Sequence, residues 1–182
     1  MPEPSGTAKL VGEILPGVYR FTIHDDRIDS ESDSYAIIEH GKVILIDPLP
    51  MAEKDLKKLG PVEAVCLTGS CHERSAWRYR RELNVPVYAP QGGVDFEETP
   101  DRWYKAHDRL PGNLLAVHTP GPTEAHYSFY LEREGGVVFC RPAHQRRRGG
   151  SRLRRGRVSG RASPHARERA PSAQLGFQDA LS

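Results

Sequence analysis

The 182 residues are enough for one domain with a real core and too few to expect two. The formal charge of +2 averages two unlike parts: residues 141–182 hold eleven of the 26 basic residues, all Arg, with two of the 24 acids, a net +9 that leaves −7 on residues 1–140. A body at −7 argues against nucleic acid as its natural partner, and no stretch approaches the roughly 20 apolar residues of a membrane span.

The segments Lys9–Leu15 and Gly17–Ile23 are short alternating or β-branched runs separated by Pro16-Gly17, so two strands are predicted there. Residues 34–39 (SYAIIE) and Lys42–Ile46 (KVILI) flank His40-Gly41, the pattern of a tight hairpin, and Asp47-Pro48 ends the second strand. Ala52–Leu59 is amphipathic, with Leu56 and Leu59 inward and Lys54, Lys57 and Lys58 solvated, and Gly60-Pro61 stops this helix. Residues 62–67 (VEAVCL) are almost continuously apolar, as in a strand covered on both faces.

After a loop at Thr68–Cys71, residues 72–83 place Ala76, Tyr79, Arg80 and Leu83 on one helix face, followed by a strand at Val85–Ala89. Residues 91–112 read as a long charged loop with a helical turn around Trp103. Three more strands are expected at Leu114–His118, His126–Glu132 and Gly136–Cys140, the last two joined at Glu134-Gly135. Strand pairs followed by strand–helix–strand indicate a layered α/β domain over residues 1–140. Met1–Leu10 lacks the pattern of an export signal, and the odd cysteine count (Cys66, Cys71, Cys140) fits reduced thiols in the cytoplasm.

From Arg141 the sequence has no apolar period, and its composition is that of a disordered, Arg-rich tail. It also reads as out-of-frame text. Shifting plausible codons by one position turns Arg141–Gln145 into GDLLI, Arg157–Gly160 into EYQ and His165–Gln174 into TRESVRRLL. A genuine basic arm and a misplaced gene end are the rival readings. A chain leaving its frame near Cys140 is expected to leave strands such as Val62–Leu67 short of apolar cover.

Several landmarks in residues 10–140 resemble the metallo-β-lactamase superfamily. Leu15-Pro16-Gly17-Val18-Tyr19 is similar to its opening PGVY, and Asp33-Ser34-Tyr35 to its N-S-Y. Val43–Pro48 (VILIDP) is similar to the strand that ends in Asp, and Val65–Thr68 (VCLT) to the strand entering the metal loop. Val85–Pro90 follows the next helix, and His118-Thr119-Pro120-Gly121 resembles the TPGHT strand end. The out-of-frame GDLL falls where the superfamily has a G-D motif.

The resemblance implies an αββα fold, present here as roughly its N-terminal half to two-thirds. It also implies metal-dependent hydrolysis of esters, thioesters or lactones, in which zinc, iron or manganese activates water.

The ligands implied by the resemblance are mostly replaced. The superfamily's T-H-x-H-x-D-H loop is Thr68-Gly69-Ser70-Cys71-His72-Glu73-Arg74 here. Gly69, Cys71 and Arg74 stand at the His positions, Glu73 stands for Asp, and Pro122 replaces a further His. Glycine has no ligand atom and arginine is a permanent cation. Cys71, His72, Glu73 and His126 remain as candidate metal ligands. Against that, His72 reads as a solvated or capping residue, Cys71 as a small loop residue and Glu73 as a partner of the helix dipole. Asp47 is expected to hydrogen-bond behind the site. His118, Trp77, Tyr79, Trp103 and Tyr104 read as packing residues. Asp25, Asp26, Asp29, Glu31 and Asp33 read as a solvated acidic loop.

The functional expectation is a degenerate hydrolase-like protein with no metal cofactor as translated, and with no catalytic residue assigned. A small-molecule-binding module of the same fold and a nucleic-acid binder acting through the basic tail are the alternatives.

Overall fold

The structure, a computed structural model, describes residues 3–121, 123–132 and 135–138. Pro122, the predicted turn residue Glu134 and the readings of residues 139–182 (tail, frame and domain boundary) lie outside the described residues.

Alternating residues build a large mixed sheet. Its strands are β1 (Lys9–Leu15), β2 (Val18–Asp25), β3 (Ser30–Glu39), β4 (Lys42–Ile46), β5 (Val62–Cys66), β6 (Val87–Pro90) and β7 (Arg102–Tyr104), and they lie side by side in chain order. The first three pairings are antiparallel and the last three parallel. The hairpin at His40-Gly41 forms as predicted: both residues have positive φ, 49° and 75°, as a right-twisted two-residue turn requires.

A second, antiparallel sheet runs β11-β10-β9-β8, formed by β8 (Arg109–Leu110), β9 (Leu114–His118), β10 (Tyr127–Leu131) and β11 (Gly136–Val138). Two helices, α1 (Glu53–Leu59) and α2 (Ala76–Leu83), supply Leu56, Ala76, Trp77 and Tyr79 to the core on one face of the large sheet. On its other face Ile44, Ile46, Ala64 and Cys66 pack against Leu114, Ala116, Phe129 and Leu131 of the second sheet. Among the described residues the layers are therefore helix, sheet, sheet. No described helix is long and apolar enough to cross a membrane.

The structure differs from the sequence expectations in five places. Residues 91–112 contain strands β7 and β8, and Trp103 sits on β7, half-exposed, instead of in a helical turn. The helix predicted over residues 72–83 is split: a 3-10 turn (Ser70–His72) comes first, Arg74 takes φ 40°, and α2 starts only at Ala76. One left-handed residue is enough to stop the helical hydrogen-bond ladder. Trp77 rather than Leu83 fills the core from α2, because Leu83 lies at the open end of the helix, where Asn84 turns left-handed (φ 52°).

The fourth difference concerns cover. Ala64, Val65, Cys66 and Leu67 are all fully buried, Ala64 and Cys66 under the second sheet and Val65 and Leu67 in the core on the helix side. Asp25 is also not a solvated loop residue. It ends β2 buried, and the Arg27 guanidinium, at 2.8 and 2.6 Å, holds its carboxyl below the usual range.

Candidate functional site

Parallel pairing of β4 and β5 sets Ile46 beside Cys66, so the residues just beyond them, Asp47 and Thr68, meet at one end of the sheet. Asp47 is fully buried and takes φ 45°, an unusual conformation for a non-glycine residue. It is held there by its partners. Asp47 Oδ1 accepts the Thr68 backbone N–H at 2.8 Å and Oδ2 accepts the Thr68 hydroxyl at 2.6 Å.

The hydroxyl proton is thus committed to Asp47, and Thr68 Oγ1 is left to accept from His72 Nδ1 at 2.8 Å. The same nitrogen lies 3.3 Å from Asp47 Oδ2. Burial opposes a charge on His72, yet the Asp47 carboxylate outweighs it, and the imidazole is pushed up to about 9. The Cys71 thiol adds in the same direction and the Arg74 charge opposes it. His72 is therefore a buried, charged partner of Asp47, not the solvated residue expected from the sequence.

The other wall is the loop from β9 to β10. His126 Nδ1 donates to Thr119 O at 3.1 Å, and its ring meets that of His72 edge-on, with centroids 5.5 Å apart. Tyr127 N–H donates to Thr68 O at 2.9 Å, which draws this loop against the Thr68–Gly69 turn. A Cβ on Gly69 would stand 3.4 Å from His126 Cδ2 and 3.6 Å from Ala125 O. A methyl group would fit there in ordinary contact, and a larger side chain would have to find a path past the His126 ring and the Ala125 carbonyl.

Glu73 turns away from this pocket. Its Oε2 accepts Trp77 Nε1–H at 2.5 Å and the Glu97 backbone N–H at 2.7 Å, joining α2 to the 91–101 loop. Burial raises its pKa, against the pull of those two donors. Arg74 Nη1 donates to Asp33 O at 2.7 Å and Asp47 O at 3.1 Å. Cys71 is half-buried on the 3-10 turn, and Cys66 is fully buried with its thiol pushed far up by desolvation.

The structure therefore brings together Asp47, His72, Gly69 and His126, with Cys71 beside them, and takes Glu73 elsewhere. His118 lies on β9 with Nε2 2.7 Å from Glu124 O, outside this cluster. Sequence reasoning missed Thr68 as the link between Asp47 and His72. A buried threonine directly after an apolar strand was the available signal.

This donor set offers no ready group of metal ligands among the described residues. Among the described residues no three His, Cys, Asp or Glu side chains are arranged to hold one. The imidazole nitrogen of His72 nearest the carboxylate is committed to Asp47 and Thr68, and Arg74 brings a fixed positive charge to the same loop. Depressions of about 660 and 240 Å³ lie elsewhere: one at the β3–β4 hairpin, lined by Glu39, Lys42 and Glu63, the other beside Gln91 and Trp103.

The sequence matches no protein-family model and no curated protein. The fold does match solved structures. The DIM-1 metallo-β-lactamase superposes with TM-score 0.59 at 14% identity, over 72% of this chain and 70% of its own. The mono-zinc form of the FIM-1 metallo-β-lactamase from Pseudomonas aeruginosa gives 0.58 at 15%, over 72% and 68%. A metallo-β-lactamase family protein from Thermus thermophilus gives 0.55 at 18%, over 69% and 59%. Two stacked sheets are thus the architecture shared with those structures, and this chain has the metallo-β-lactamase fold.

Proposed function

We propose that this protein is a non-catalytic member of the metallo-β-lactamase fold, related to metal-dependent hydrolases of esters, thioesters or lactones but without their metal chemistry. The observation that supports this most is at Gly69: a position lacking any ligand atom stands against His126 and Ala125 at the mouth of the cluster. Glu73, the remaining carboxylate of the loop, serves Trp77 and Glu97 instead. Free thiols at Cys66 and Cys71 accord with a reducing, cytoplasmic setting. The test is metal analysis of purified protein, exposed to zinc, iron and manganese and then dialysed, with a hydrolysis panel of esters, thioesters, lactones and β-lactams. We expect well below one equivalent of metal and no metal-dependent turnover. Stoichiometric metal, lost on Cys71→Ala, would refute the reading.

A further inference from the structure

We propose that the Arg74 guanidinium is a built-in cation that does the structural work a bound metal ion would otherwise do at this end of the sheets. The inference rests on the metal-free reading above. Arg74 lies at the close of the Thr68–Arg74 loop with only 7% of its surface exposed, and its backbone takes the left-handed φ of 40°. Its Nη1 joins two neighbouring strands beyond the end of their own ladder, which begins at the Tyr35–Ile46 pair. It donates to Asp33 O, within β3, and to Asp47 O, just beyond β4. The next residue, Ser75, donates its N–H to Pro48 O at 3.1 Å, so the Asp47-Pro48 segment is tied to the loop at two successive residues.

The charge matters as well as the bonds. Asp47 is a buried carboxylate serving His72 on one side, and its own carbonyl faces Arg74 on the other. The guanidinium also draws down the Asp25 carboxyl and opposes the charge on His72, so it is felt by both neighbouring ionic groups. A side chain that keeps its charge and holds two backbone oxygens of different strands meets part of what a coordinated cation supplies: fixed charge and oxygen partners drawn to one point.

The test uses the full 182-residue chain and reads thermal unfolding with and without chelator and with excess zinc. The wild type is expected to show one Tm in all three conditions. Arg74→Gln, which removes the charge and leaves one NH2 on a shorter stem, should lower Tm by about 8 °C or more, and Arg74→Lys by less than half as much. The loss in Arg74→Gln should shrink at least twofold in an Asp47→Asn background, because the two charges act on each other. Equal losses for Gln and Lys, or a loss independent of Asp47, would overturn the proposal. If Arg74→Gln does not accumulate folded, Arg74→Lys decides alone: a folded lysine variant supports the charge, and its failure overturns it. A wild type that loses stability in chelator refutes the metal-free reading itself. A wild type indifferent to chelator, with an Arg74→Gln variant of unchanged Tm, refutes only the role of Arg74.

Discussion

Asp47 takes both hydrogen-bond donors of Thr68, the backbone N–H at 2.8 Å and the hydroxyl at 2.6 Å, on its two carboxylate oxygens. That arrangement fixes the direction of every other hydrogen bond in the cluster. It leaves Thr68 Oγ1 as an acceptor, so His72 Nδ1 must carry a proton.

Thr68→Val keeps the shape of the side chain and removes the hydroxyl that both neighbours use. Two buried polar groups lose a partner, which costs about 1–3 kcal/mol. Urea denaturation should show this loss, and Thr68→Ser should recover most of it. A valine variant as stable as the wild type would mean that Asp47 and His72 do not depend on this link.

The Asp47–His72 pair makes stability depend on pH. Folding raises the imidazole from 6.5 to about 9, so the native state binds the proton more tightly than the unfolded chain. This contribution is complete below pH 6.5 and disappears as pH rises through about 9. The loss across that window is on the order of 3 kcal/mol. Denaturation curves taken at intervals across it should show the fall in the wild type and a flatter profile in His72→Asn.

Glu73→Ala should free the 91–101 loop from α2, since Trp77 Nε1 and the Glu97 amide share its Oε2. Amide exchange at Glu97 should accelerate at least tenfold, with a stability loss of about 1–3 kcal/mol. Unchanged exchange at Glu97 would show that the pairs of Arg80 and Arg81 with Glu98 and Asp101 hold the loop without Glu73.

Gly69→His places a ligand-type side chain where the superfamily's loop begins T-H-x-H, yet it meets His126 and Ala125. The variant should lose stability by about 1–3 kcal/mol through overpacking and bind no stoichiometric zinc. A gain in Tm on adding zinc would show that the β9–β10 loop can swing away and that position 69 can supply a ligand.

Much of the fold was legible because it rests on local pattern. β1, β4 and β9 appear where alternation or β-branched runs put them, and His40-Gly41 supplies the turn chemistry for its hairpin. β7 and β8 were hidden because three- and two-residue strands carrying Arg102 and Arg109 have no readable period. At the site, the residue types at Gly69 and Arg74 were visible, since the chemistry of a missing ligand atom or a fixed cation needs no coordinates. Where Glu73 and Arg74 point was not visible. Their partners, the Glu97 amide and the Asp33 and Asp47 carbonyls, are backbone groups, which every residue carries and no sequence distinguishes.

The seven strands of the large sheet stand in the order in which a ribosome makes them. Each new strand has its hydrogen-bonding partner already made, immediately before it in the chain, so the sheet can lengthen during synthesis without waiting for a distant segment. At every stage one edge is β1 and the other, the one that grows, is the youngest strand. The final one, β7, is three residues long and bears an exposed Arg102, features that discourage a neighbouring chain from adding to it. The nascent protein therefore carries a growing edge that ends in its own protection before the second sheet has begun.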